Sequence, residues 1–397
     1  MGKLGHGAEK RAMILSFIRE RGEVSRGDLA AEFSLDKKAV SSVVDELADE
    51  SLIVSAGFRD SVAGRRQELL SLNGGHSNFI GIDLGGTHII GVLTDLTSRI
   101  LNRVFFEIRP GLPVDIILAQ MKAICRNLLG SASATAAIRS IGICAPGFMN
   151  LETGTSLVAE NIPGWLDVSL RQIFQGEFGK PVAVEDSSRA YALAEKWLGD
   201  GRGRQDFLLA DLGYGIGMAI VVGGSLLRGT GNKSGEIGHT IVSPEGSPCA
   251  CGNRGCLETV ASGRAIARDA ARGIAEDRTE LLKGLTHGKA DSVTAHDVAI
   301  AASMGDAFSI DLLRSAGSFA GLALANAVNI LNPSLLVLGG GLIGTTRIVE
   351  ESIAEALRAH CMPGIFEEVE LRVSKLGIDG SALGCAILAA ADVFGQA

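Results

Sequence analysis

The sequence predicts an α/β body of two lobes with a cleft between them, preceded by a winged helix-turn-helix module. Glycine turns follow apolar strands in FIGIDLGGTHIIGVLTDL, FLLADLGYGIGMAIVVGGSLLRG and LLVLGGGLIG. Helical stretches such as ALAEKWLG and FAGLALANAVNILN lie between and after them. Residues 10–72 read as three helices and then two short strands.

In that front segment, Met13, Ile14, Phe17 and Ile18 recur at helical spacing and Gly22 ends the first helix. Ser25 caps the second, with Asp28 completing a capping-box variant. Asp36 caps the third, whose buried stripe is Val40, Val43, Val44 and Leu47. LIVSA and QELLSL are strands joined by the loop GFRDSVAGRR. In this plan the third helix enters the DNA major groove. Lys37, Lys38, Ser41 and Ser42, opposite the valine stripe, are therefore candidate DNA contacts. Arg65 and Arg66 at the end of the wing loop are candidates for phosphate or the minor groove. The acids Asp45, Glu46, Asp49 and Glu50 must then face away from DNA. A small protein-interaction module with solvated lysines has the same pattern.

The 397 residues, 46% of them hydrophobic, are enough for two or three cores. A net charge of −8 argues against nucleic acid as a partner of the chain as a whole. Residues 1–70, however, carry 11 Lys+Arg against 12 Asp+Glu, which leaves room for a small basic face there. No apolar run reaches the roughly 20 residues of a membrane span, and MGKLGHGAEKR lacks the apolar segment of a secretion signal. The expected location is the cytoplasm, with no membrane partner. The expected boundaries are 1–73 for the module and 74–397 for the body. The first lobe takes about 79–185 plus a C-terminal helix at about 380–397, and the second about 186–379 with a zinc loop at 239–256.

Glycine turns after strands let backbone N–H groups approach a phosphate, so Asp83, Gly85, Gly86 and Thr87, with Gly213, Gly215 and Gly217, form two candidate phosphate loops. The segment GEIGHTIVSPEGSPCACGNRGCLE is more specific. His239 is followed at +10, +12 and +17 by Cys249, Cys251 and Cys256, a set suited to tetrahedral zinc. Four protein ligands leave no open position, so the expected zinc is structural. Seven cysteines, an odd number, fit a reducing compartment and a metal site better than a disulfide framework. Cys125, Cys144, Cys361 and Cys385 sit in apolar segments and read as core.

Together these motifs, with IGICAPGFMN and ENIPGW, resemble the ROK family of repressors, open reading frames and sugar kinases, from about residue 10 to near the end. The resemblance implies an actin-like, ribonuclease-H-like sugar kinase fold. The N-terminal module favours the repressor branch, of the type that answers to xylose or N-acetylglucosamine. By resemblance, Glu236, His239 and Glu258 bind sugar hydroxyls, with Asp186, Ser187 and Asn161 lining the same pocket. The family's kinases carry a pattern like V-E-N-D-A-N-A-A-A-L-A-E, whose Asp is the general base. Here VEDSSRAYALAE places Ser187 at that position and Asp186 beside it. A hydroxyl cannot accept a proton near neutral pH as a carboxylate does. His88 stands where the kinases usually have Lys, and Tyr214 where they usually have Thr. The reading that follows has no catalytic residue and vestigial phosphate loops. It describes a sugar-responsive regulator, a repressor that binds operator DNA as a homodimer or homotetramer. An active ATP-dependent sugar kinase with an added DNA-binding module is the alternative. A response to a phosphotransferase-system protein rather than to free sugar is a third.

Overall fold

The computed structural model describes residues 6–60, 66–109, 111–131, 136–159 and 162–395. The N-terminal module is α1 (His6–Arg21), β1 (Val24–Ser25), α2 (Arg26–Glu32), α3 (Lys37–Asp49), β2 (Ile53–Arg59) and β3 (Gln67–Leu72). Its helix starts follow the caps in the sequence. The Ser25 hydroxyl accepts from Asp28 N at 3.1 Å while the Asp28 carboxylate accepts from Ser25 N at 2.8 Å. Asp36 accepts from Ala39 N at 2.8 Å. Val40, Val43, Val44 and Leu47 form the buried face of α3 as expected. Met13 is instead 48% exposed, and Leu15 takes its place in the buried seam with Ile14 and Ile18. β1 pairs Val24 with Leu70 and makes the hairpin a sheet of three strands.

The first lobe is built on a five-stranded sheet in the order β11-β7-β4-β5-β6. Its parts are β4 (Asn78–Leu84), β5 (His88–Asp95), β6 (Ile100–Glu107), α4 (Val114–Gly130), β7 (Ile138–Ala145), the small sheet β8 (Phe148–Asn150), β9 (Thr155–Val158) and β10 (Leu166–Val168), then α5 (Leu170–Phe178) and β11 (Val182–Asp186). α6 (Ser187–Leu198) follows directly. The second lobe opens with β12 (Phe207–Leu212), β13 (Ile216–Val222) and β14 (Ser225–Leu226). The helices α7 (Glu258–Ala261), α8 (Gly263–Ala275), α9 (Glu280–Leu285), α10 (Ala295–Ser303) and α11 (Ala307–Leu331) come next. β15 (Leu335–Gly339), α12 (Arg347–His360) and β16 (Glu370–Val373) complete it, and α13 (Gly380–Ala389) returns to the first lobe.

The second sheet runs β14-β13-β12-β15-β16, the same topology as the first: an antiparallel meander followed by two parallel strands. This repeat sets the β4–β5 turn and the β12–β13 turn at corresponding ends of their sheets, so both glycine loops open on one cleft. Two cores result, one on α4 and α5 with Ile80, Ile82 and Phe174, the other on α8, α10 and α11 with Leu208, Ile266 and Leu324.

The layer between the lobes is packed backbone to backbone. A Cβ built on Gly81 would lie 1.9 Å from the Ala382 carbonyl oxygen, one on Gly142 1.9 Å from that of Cys385, and one on Gly384 1.6 Å from that of Ala190. Only glycine allows α13 to sit this close to β4, β7 and α6. The expected C-terminal helix ends at Ala389 rather than running on. Turns then carry Val393 and Phe394 into a cluster with Ile14, Leu15 and Ile18, joining the N-terminal module to the body. Among the described residues no helix is long and apolar enough to cross a membrane.

Candidate functional site

The cleft between the lobes is a cavity of about 310 Å³ into which both glycine loops open. Asp83, Gly85, Gly86, Thr87, Gly213, Gly215 and Gly217 all line it, as the sequence places them. Two bulky side chains, Tyr214 and His88, stand against the first glycine loop. The Tyr214 ring lies so close to Gly86 that a Cβ there would be 2.5 Å from it. His88 folds back over Gly85, stacks on Phe105 at 5.9 Å and brings Nε2 to 3.8 Å from Asp83 Oδ2. The Gly213 and Tyr214 carbonyls accept from Gly263 N and Arg264 N at 2.8 and 3.2 Å, which ties the second loop to the start of α8.

Three carboxylates line the cleft because β4, β11 and β12 finish beside it: Asp83, buried, and Asp186 and Asp211, part-buried. Burial raises all three pKa values. Asp186 caps α6, accepting from Arg189 N at 3.1 Å. Ser187 opens α6 and donates its hydroxyl to Asp83 at 3.2 Å, and Ser188 donates to Asp211 at 3.3 Å. The Ser187 hydroxyl is thus already engaged with a carboxylate. Burial, with the charges of Asp83 and Asp186 adding to it, pushes Asp211 up to about 7. Because its pKa is raised in the folded chain, Asp211 binds a proton more tightly there than when unfolded. The stability it contributes is therefore present at low pH and is lost as pH rises from about 4 to 7. Asp211→Asn is expected to melt higher than the parent at pH 8, by about 1–3 kcal/mol, with the gap closing at pH 5. An equal gap at both values in parallel thermal melts would refute this.

Glu236, His239 and Glu258 line the cleft with Asp186 and Ser187. Glu258 is no solvated surface residue. It is 7% exposed, and its Oε1 accepts from Arg264 Nη2 at 2.7 Å. Asn161 lies outside the described residues. The sequence reading missed two neighbours. Cys144 donates its thiol to Asp83 at 3.1 Å. Glu185, fully buried, accepts from Arg189 Nε at 3.0 Å and also pairs with Arg228. Arg189 in turn donates to the Ser234 and Asn232 carbonyls at 3.1 and 3.0 Å. This network fixes the 228–236 segment that delivers Glu236 to the cleft.

The cysteine loop folds as its spacing suggests. Gly252 and Gly255 take φ of +92° and +67°, and an antiparallel bridge pairs Ile241 with Cys256. The ligand atoms of His239, Cys249, Cys251 and Cys256 all lie within 4.8 Å of one another. His239 Nδ1 is 3.6 Å from Cys249 Sγ, and Cys251 Sγ is 3.7 Å from Cys256 Sγ. Bond lengths to tetrahedral zinc require edges of about 3.6 Å for N···S and about 3.8 Å for S···S. The donor set fits that ion. With Nδ1 turned to the cysteines, the ring of His239 still borders the cleft, so metal loop and cleft share a residue.

On the N-terminal module, Lys37, Lys38 and Ser42 are exposed on the first turns of α3, with Ser41 half-buried beside them. No ion pair engages either lysine among the described residues. Asp45 is paired with Arg26 at 2.8 Å and Glu50 with Arg11, so two of the four acids are neutralised from neighbouring helices. Arg66 is exposed and paired with Asp60 at 3.1 Å, whereas Arg65 lies outside the described residues.

The chain is similar to curated proteins over most of its length. It is 30% identical over 388 residues to a xylose repressor of Caldicellulosiruptor bescii, covering 96% of each chain. It is 36% identical over 312 residues to a glucokinase of Halalkalibacterium halodurans, which takes in 77% of this chain and 93% of that one. Among solved structures, a ROK family transcriptional regulator described as a homolog of the E. coli MLC protein superposes with a TM-score of 0.80 at 27% identity, covering 98% of this chain and 97% of that one. The sequence pattern of the ROK family matches residues 79–392, and the chain belongs to that family.

Proposed function

We propose that the protein is a sugar-responsive DNA-binding transcriptional regulator, a repressor, whose kinase-like cleft senses sugar and does not phosphorylate it. The observation that carries this reading is Ser187, whose hydroxyl stands at the position of the family's general base and is bonded to Asp83. Tyr214 against the first glycine loop supports it. So does the extent of similarity, since the repressor relative spans the N-terminal module and the glucokinase relative covers only 77% of this chain. The glucokinase relatives keep a kinase with a DNA-binding module as the second reading.

In this reading Glu236, His239 and Glu258, with Asp186 and Ser187, hold sugar hydroxyls, because each carboxylate offers two acceptor oxygens to a pair of hydroxyls. Asn161 adds to this set. A structural zinc held by His239, Cys249, Cys251 and Cys256 supplies rigidity and fixes the His239 ring. Lys37, Lys38, Ser41 and Ser42 of α3 meet the major groove, and Arg65 and Arg66 the backbone or minor groove. A homodimer or homotetramer in the cytoplasm would present two such modules to half-sites about one helical turn apart. Closure of the lobes on sugar changes that spacing. A phosphotransferase-system protein acting in place of sugar is the other way to drive the same change.

The deciding experiment combines a coupled ADP-release assay with fluorescence anisotropy on DNA from upstream of the gene, each run with D-xylose and D-glucose. The expected result is no ADP release and a sugar-dependent loss of DNA binding. Ser187→Asp alone should restore no turnover, since Tyr214 still stands against the first glycine loop. Steady ADP release by the parent chain would replace this reading with the kinase.

A further inference from the structure

Arg19, in the last turn of α1, occupies the seam between the N-terminal module and the body. Its guanidinium carbon lies 4.6 Å from the ring centroid of Trp197 and 4.5 Å from that of Phe394. Nη2 donates to Ser98 Oγ at 3.3 Å, while Nε and Nη1 are shut off from water and make no hydrogen bond among the described residues. Burial pulls its pKa down to about 9, and at neutral pH it keeps its charge. The nearby Lys196, 5.2 Å from the Trp197 ring, is a second cation rather than a counter-ion.

A guanidinium held by two aromatic faces and one hydroxyl recovers only part of the hydration it lost. The seam also buries Ile14, Leu15 and Ile18 against Val393 and Phe394, beside a polar pocket lined by Arg11, Glu50, His76, Arg139 and Asp392. Docking of the module is therefore favoured by apolar burial and opposed at one point by a charge that would be better solvated outside.

The aromatic partner on one side belongs to the helix that starts in the cleft. α6 begins with Ser187 and Ser188, bonded to Asp83 and Asp211, and ends with Trp197 on Arg19. Its twelve residues span about 18 Å as one rigid rod. The Tyr191 hydroxyl, midway, lies within hydrogen-bond distance of Ser374 Oγ and the Gly377 carbonyl, each at 2.9 Å, in the segment that leads into α13. A displacement at the cleft end thus reaches both helices beneath the module.

We propose that Trp197, Arg19 and Phe394 form a release latch for the N-terminal module, opened when α6 is displaced at its cleft end. Arg19 is a positioning residue in this device, and the inference rests on the sugar-sensing reading only for what displaces α6.

Hydrogen exchange of the α1 amides in the full-length chain tests it. Arg19→Met keeps the apolar contact and removes the charge, so α1 exchange should slow about tenfold. Trp197→Phe, which weakens the clamp without touching Arg19, should speed it severalfold and serves if the first variant does not fold. Ser188→Ala, at the cleft end, should also speed α1 exchange. Unchanged or faster exchange in Arg19→Met would make Arg19 a plain structural contact and end the proposal. An unaffected α1 in Ser188→Ala would remove α6 as the transmitter. Calorimetry with D-xylose and D-glucose separates the two ideas. A chain that binds neither sugar but exchanges more slowly as Arg19→Met keeps the latch and loses the sugar reading for those sugars. A chain that binds one while α1 ignores it loses the latch.

Discussion

Glu185→Gln is expected to destabilise the protein by about 3–5 kcal/mol, the cost of leaving buried charge without its partner. Glu185 is fully buried and is the carboxylate to which both Arg189 and Arg228 are bound. Arg228 is about one-third exposed and can turn to water. Arg189, 3% exposed, cannot. A fall of about 4–6 °C in melting temperature should result, and sugar affinity should fall with it, because Arg189 holds the Asn232 and Ser234 carbonyls next to Glu236. Glu185→Gln combined with Arg189→Met should recover part of the loss. A double variant that melts as low as the two single losses added together would mean the network is not the cause.

The second large effect concerns the metal loop. The purified chain should carry one zinc ion, and Cys256→Ser should lose it together with the order of the 239–256 loop. Cys256 is fully buried and its thiol completes one edge of the donor set, so a serine hydroxyl leaves a poor ligand where no solvent ligand can enter. Loss of a ligand usually costs at least 10–100-fold in metal affinity, and in a loop without its own apolar core that affinity is folding free energy. If the proposed reading holds, sugar binding should weaken in parallel, since His239 supplies Nδ1 to the donor set while its ring borders the cleft. Elemental analysis and calorimetry on parent and variant decide it. A parent chain that binds sugar with no zinc would sink the idea.

Features written within a few residues were legible in the sequence. The capping box of α2 and the Asp36 cap of α3 depend on residues three apart, and the zinc set lies in one segment with its own glycine turns. β1 was not legible, because two residues cannot display a period. Met13 and Leu15 are both apolar neighbours of one helical stripe, and only the direction of the body decides which faces it. The repeat of sheet topology is carried mainly by pairing, and in sequence it surfaces as the short shared string Asp-Leu-Gly at Asp83–Gly85 and Asp211–Gly213. Glu185 and Arg189 are visible four apart, yet Glu185 ends a strand and Arg228 is 43 residues away, so nothing local announces the cluster. Glu258 reads as a cleft acid from its motif, but nothing in the sequence announces that Arg264, on the next helix, pairs with it.

The glycine contacts beneath α13 also bear on how such a chain can change over time. Ser187, His88 and Tyr214 line the cleft, and what they meet, the Asp83 carboxylate, the Phe105 ring and the bare face of Gly86, are side-chain and surface contacts rather than a fixed backbone clearance. Gly81, Gly142 and Gly384 face carbonyl oxygens closer than any methyl group can approach. A lineage is therefore free to trade its chemistry long before it can alter the layer on which its lobes are packed. Sensing can replace catalysis by substitutions that leave the scaffold's clearances untouched.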